Sequence, residues 1–252
     1  MQYQSTSKRR VNGNLSLLNY FSKTNKDFFT YKLMTAEQLS VVLLTLWVMY
    51  WIERKIPNIG KLHTVSLCHA LCTTYMSHHV LFMDPEKFFT IYDYDITSYP
   101  DYIQLFPYVS FGYAFYDMYY GISVRKIDYI LHGIMFLTST FVGDYYNVMH
   151  YSYVGLLMET SNIFLNFLPY DNLYINGIFF FLFILYRNIY FPIFTAVYVY
   201  RKYDTLISSE NNHERYIILC ALMINSLNFY WGRKIVRKAI RTMKTLQWIK
   251  ND

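Results

Sequence analysis

The chain has 252 residues, of which 54% are hydrophobic, 21% aromatic and only 16% charged. Soluble globular domains carry about 25% charged residues, so the composition excludes an ordinary water-soluble fold. The net charge of +6 does not point to nucleic acid, because the basic residues flank apolar segments: Arg54 and Lys55, Arg125 and Lys126, Arg201 and Lys202, and a run from Arg233 to Lys250. That is the distribution of interfacial anchors.

Residues 1–36 form a polar, basic arm. It lacks the apolar core of a cleavable signal, so the first membrane helix is expected to direct insertion. The arm holds the chain's one glycosylation sequon, Asn14-Leu15-Ser16. The apolar runs that follow are continuous and too long for barrel strands, and a helix needs about 20 residues to cross hydrocarbon. The chain is therefore expected to be all-α, a polytopic membrane bundle of about seven helices. They are placed at 37–52, 62–83, 102–122, 127–143, 146–167, 173–200 and from about Tyr216 onward. Pro107 is expected in the first turn of the third, and Pro192 is expected to kink the sixth. Charge near the membrane favours a cytosolic C-terminus and a lumenal arm.

Within these segments polar residues recur at helical spacing. Gly155, Glu159, Asn162 and Asn166 share one face of the fifth, and Ser110, Tyr113, Asp117 and Tyr120 one face of the third. The second offers Ser66, His69, Thr73 and Ser77; the sixth Asn176 and Arg187; the last Asn225, Asn228 and Gly232. Neutral polar residues of this kind serve mostly as interhelical glue. Charged ones at membrane depth cost roughly 2.5–3.5 kcal/mol each on insertion scales, so Asp117, Glu159 and Arg187 need partners or a function. His132 stands in an otherwise apolar stretch, and a polar interior cavity is one reading of these converging faces. His78 and His79 are placed near the membrane interface.

The seven histidines are too few and too scattered for a di-iron desaturase, and no mid-membrane lysine is available for a retinal Schiff base. The cysteines Cys68, Cys72 and Cys220 fit no metal or redox motif. No metal site and no tightly bound cofactor are expected.

Six short motifs occur in order along 60–240. They are Thr64-Val-Ser-Leu-Cys-His-Ala70, Gly112-Tyr-Ala-Phe-Tyr-Asp117, Asp128-Tyr-Ile-Leu-His132, Glu159-Thr-Ser with Phe164-Leu-Asn166, Arg187 with Pro192, and Asn228-Phe-Tyr-Trp231. Together they resemble the TLC family (TRAM, LAG1 and CLN8 homology), nearest its TLC-domain-containing subgroup rather than the ceramide synthases. The resemblance implies a six-helix TLC core at 60–240, preceded by the arm at 1–36 and a first helix and loop at 37–59, and followed by a basic tail at 241–252. It implies membrane lipids as partners, residence in the endoplasmic reticulum or another intracellular membrane (a host membrane if the chain is viral), and acyl-CoA as a co-substrate if the protein is an acyltransferase. A homo-oligomer is compatible with it.

Where ceramide synthases carry paired histidines, this chain has His132 followed by Gly133. The expected catalytic set is His132 with Asp117 or Glu159 orienting it, the imidazole acting as general base or accepting the acyl group. His69, Asn162, Asn166, Arg187 and Asn228 are the expected substrate-binding residues. The alternative is a non-enzymatic cargo receptor or translocation-associated protein, in which the polar faces serve packing or partner binding.

Overall fold

A computed structural model describes residues 34–55, 63–82, 91, 99–168, 172–207 and 212–249. The N-terminal arm with Asn14, most of the acidic loop at 84–101, the turn at Pro169 and Asp171, and Lys250 lie outside the described residues. Every regular element among the described residues is helical, as the composition requires.

The first helix, α1 (Ala36–Lys55), opens on a reciprocal cap. The Gln38 N–H donates to Thr35 Oγ1 (3.2 Å) and the Thr35 N–H to Gln38 Oε1 (2.7 Å). One face buries Val42, Thr45 and Met49, while Leu43, Leu44, Trp47 and Trp51 are exposed, as hydrocarbon solvent allows. Then come α2 (Thr64–Phe82), a short α3 (Asp101–Leu105), α4 (Pro107–Ser123) and α5 (Ile127–Tyr145). Pro107 occupies the first turn of α4, where its missing N–H costs nothing.

Two glycines let α4 pack closely against both neighbours. A Cβ on Gly112 would lie 3.0 Å from Thr45 Cβ of α1 and 3.1 Å from the Val42 carbonyl. A Cβ on Gly133 of α5 would lie 2.5 Å from Met118 Cγ and 2.7 Å from the Ala114 carbonyl of α4. The α4–α5 turn closes through Arg125 at φ 55°, whose N–H bonds the Ile122 carbonyl while the Lys126 N–H bonds that of Gly121.

The fifth segment departs from expectation. Instead of one helix it comprises a 3₁₀ turn (Met149–Tyr151), α6 (Ser152–Leu156), a second 3₁₀ turn (Leu157–Glu159) and α7 (Thr160–Leu165). The cause is local. The hydroxyls of Ser152, Thr160 and Ser161 donate to the carbonyls of Met149, Leu157 and Met158, three residues back, and reward the tighter turn. This column is central: Tyr153, Val154, Leu156 and Leu157 are all fully buried.

The sixth segment runs through α8 (Leu173–Phe183), a π-helical stretch (Ile184–Tyr190) and α9 (Phe191–Arg201). Asn172 caps it, its side-chain oxygen accepting from the Tyr174 and Ile175 N–H groups. The disruption expected at Pro192 takes the form of this wide π turn. Pro192 cannot donate to the turn before it and its ring crowds the carbonyl of Asn188. A short α10 (Tyr203–Ile207) leads to α11 (Asn212–Ile249), 38 residues long, which begins before the expected Tyr216 and continues as helix through the basic residues after Trp231.

Among the described residues, length and apolarity single out one candidate membrane span, Leu173–Arg201. The other columns are shorter, broken by 3₁₀ turns, or interrupted by the polar residues that meet inside the bundle.

Candidate functional site

Four columns deliver the charged residues to one place. Asp117 comes from α4, His132 from α5, Glu159 from the end of the second 3₁₀ turn, and Arg187 from the π stretch. His132 Nδ1 donates to Asp117 Oδ2 at 2.5 Å. A carboxylate can only accept, so this bond fixes the proton on Nδ1 and turns Nε2 toward Glu159 Oε1, 3.8 Å away.

Arg187 uses its whole fork. Its Nε donates to Ser161 Oγ (3.1 Å), one terminal nitrogen to Asn228 Oδ1 (3.4 Å), and the other to Glu159 Oε1 (3.2 Å) and Asn162 Oδ1 (3.1 Å). Asn162 Nδ2 completes a ring by donating to Glu159 Oε2 at 2.6 Å. Asn228 Nδ2 points at Met158 Sδ, 3.2 Å away. Asp117, Glu159, Arg187 and Asn228 are buried, whereas the His132 side chain keeps 15% of its surface open. Two carboxylates, one guanidinium and one imidazole thus partner each other, which is what makes these charges tolerable away from water.

His132, Glu159, Arg187 and Asn228 cap one end of a cavity of about 150 Å³. Below them its walls are apolar: Met135, Phe136 and Val142 of α5, Val154 and Leu156 of α6, Phe191 and Phe194 of α9, and Ile217, Ile224 and Leu227 of α11. The cavity reaches Gly143, and His132 to Gly143 on α5 corresponds to roughly 16 Å at about 1.5 Å per residue. Trp231 closes the polar end beside the His132 ring, with centroids 6.1 Å apart.

A family model of the TLC domain matches residues 61–237. The chain belongs to the TLC-domain family. No curated protein and no solved structure matches it. Membership places the protein among membrane proteins associated with lipids, and every residue of the cluster lies within the matched TLC domain.

The remaining expected residues divide. His69 is buried between α2 and α4, its ring stacked on Tyr113 at 3.7 Å and its Nε2 3.2 Å from Ser110 Oγ, and it joins no residue of the charged cluster in a hydrogen bond among the described residues. Asn166 sits one turn away, donating to the Asn162 carbonyl (2.7 Å) and facing Ser66 Oγ (3.5 Å), and does not line the cavity. Asn176 is not a partner of Arg187 in any hydrogen bond among the described residues. His78 bonds the Thr74 carbonyl and the Tyr186 hydroxyl, and His79 that of Tyr102, all apart from the cluster. The three cysteines are free.

Gly133 acquires a physical reason. No side chain fits there unless α4 and α5 move apart, so the TLC domain of this chain has no room for a second histidine after His132. Sequence reasoning missed Ser161 as a ligand of Arg187, and where it read a polar interior cavity the cavity found is largely apolar. The one available signal was the run of small residues Ser139, Thr140 and Gly143 on the face of α5 below His132.

Proposed function

We propose that this TLC-domain protein spans an intracellular membrane with seven helices, takes the hydrocarbon tail of an acyl lipid into the cavity, and transfers the acyl group at the His132 end. The observation that carries the reading is the join between an apolar cavity and an imidazole oriented by a buried carboxylate. With Nδ1 held by Asp117, Nε2 is the ring nitrogen left for proton transfer, 3.8 Å from Glu159 Oε1, and His132 lines the cavity. It is placed to take a proton from an acceptor amine or hydroxyl as that group attacks the acyl carbonyl. The Arg187 guanidinium, on the same wall, supplies positive charge near an oxygen that gains negative charge. A thioester such as acyl-CoA is the donor class that suits the reading, and the endoplasmic reticulum is the membrane we assign to it.

A cavity of about 150 Å³ holds a hydrocarbon the size of a benzene ring without rearrangement. A long tail therefore widens the slot or passes out between helices. Native mass spectrometry of the full chain, purified in mild detergent, tests the binding step. An acyl lipid retained by wild type is the expected result. A protein that is folded and lipid-free under those conditions would leave the cargo-receptor reading, which the closed hydrogen-bond ring around Arg187 also suits.

A further inference from the structure

The cavity wall carries a hydroxyl, backed by an imidazole, that the His132 chemistry does not use. Ser110, on α4, lines the cavity and its Oγ lies 3.2 Å from His69 Nε2 of α2. The His69 ring is held flat against Tyr113, with centroids 3.7 Å apart and planes within 4°. Ser110 and Tyr113 are three residues apart on α4, so one helix face both stacks the imidazole and offers it the hydroxyl. His69 Nδ1 is buried and has no hydrogen-bond partner among the described residues.

A hydroxyl within hydrogen-bond reach of a clamped imidazole is the arrangement that activates a serine nucleophile. Simple interhelical glue needs no cavity on the far side of the hydroxyl, and here there is one. We infer that Ser110 is an acyl-accepting nucleophile and His69 its general base, acting on an ester or thioester whose tail occupies the cavity. This rests on the acyl-lipid reading above and deepens it.

The step balances as follows. Ser110 Oγ bonds to the acyl carbonyl carbon while its proton passes to His69 Nε2. The tetrahedral intermediate collapses, the bond from carbon to the leaving oxygen or sulfur breaks, and His69 returns the proton to that leaving group. The acyl-serine is then consumed by an acceptor amine, hydroxyl or water: the acceptor bonds to the acyl carbon as His69 Nε2 takes its proton, and His69 gives that proton to Ser110 Oγ as the bond from carbon to Ser110 breaks.

The test is a long-chain alkyl fluorophosphonate applied to the purified full chain, with the adduct mapped by peptide mass spectrometry. Serine attack forms a phosphorus–oxygen bond at Ser110 and releases fluoride. The expected result is a single adduct at Ser110, absent in Ser110→Ala and formed at least about 100-fold more slowly in His69→Gln. Ser226→Ala should label like wild type, since Ser226 is exposed on α11 and its hydroxyl bonds the Leu222 carbonyl. Wild type that retains an acyl lipid yet takes no adduct at Ser110 overturns the nucleophile. Equal labelling rates in His69→Gln and wild type overturn the base. Wild type with neither lipid nor adduct removes the acyl-lipid reading with it. Mapping on wild type alone decides whether Ser110 is the nucleophile if the variants do not fold.

Discussion

His132 Nδ1 and Asp117 Oδ2 lie 2.5 Å apart across the α4–α5 interface, and the glycine that follows His132 allows the two helices to come that close. The glycine that stands in place of a second histidine is therefore part of what positions the histidine that remains. Asp117→Asn keeps the shape of the side chain but lets the amide donate to Nδ1 and reverse the tautomer. Product formation in cells should fall about 10²–10⁴-fold with the protein still at wild-type level. Unchanged product would show that Asp117 only packs.

Gly133→His should not create a working histidine pair. Its Cβ alone would lie 2.7 Å from the Ala114 carbonyl, which is backbone and cannot swing aside. Overpacking of this kind costs about 1–3 kcal/mol, so Gly133→His and even Gly133→Ala should melt earlier than wild type in detergent. A thermal shift assay on the purified variants reads this directly.

Glu159 and Arg187 form a buried ion pair, and removing one partner strands the other. Glu159→Ala or Arg187→Ala should each lose about 3–5 kcal/mol of stability. The double change Glu159→Gln with Arg187→Met should recover much of it, because no charge is then left without a partner. Equal instability in the double variant would contradict the account of the cluster as mutually compensating. Denaturation midpoints of the three variants supply the comparison.

Gly143 stands at the far end of the cavity, with Met149 Sδ 3.1 Å from where a Cβ would lie. Gly143→Leu should fill that end. Bound lipid should shift to shorter tails or disappear, with His132 and its partners undisturbed. Tail lengths in the lipid retained by wild type and variant, measured by mass spectrometry, show whether the cavity is where the tail lies.

Much of this site could be read from the residues alone. Asp117, His132, Glu159, Arg187 and Asn228 are costly enough inside apolar segments that their convergence was the simplest expectation. Asn166 and Asn176 were harder to assign, because a helical face assigned from 3.6-residue spacing is broad. Asn166 follows Glu159 by two helical turns, and its side-chain amide bonds the Asn162 carbonyl one turn back instead of the charged cluster. The broken fifth column depends on hydroxyl bonds to carbonyls three residues back, and the π stretch on how one turn adjusts to Pro192. Neither leaves a periodic signature. The cavity is a property of five helical columns packed together and has no sequence of its own beyond the small residues on α5.

The most direct test of the central claim is the lipid profile of cells expressing wild type or His132→Ala at matched membrane levels. The account expects one class of acyl lipid to rise with wild type and to stay at background with His132→Ala. An equal rise in both, or no change with stably expressed wild type, would contradict it.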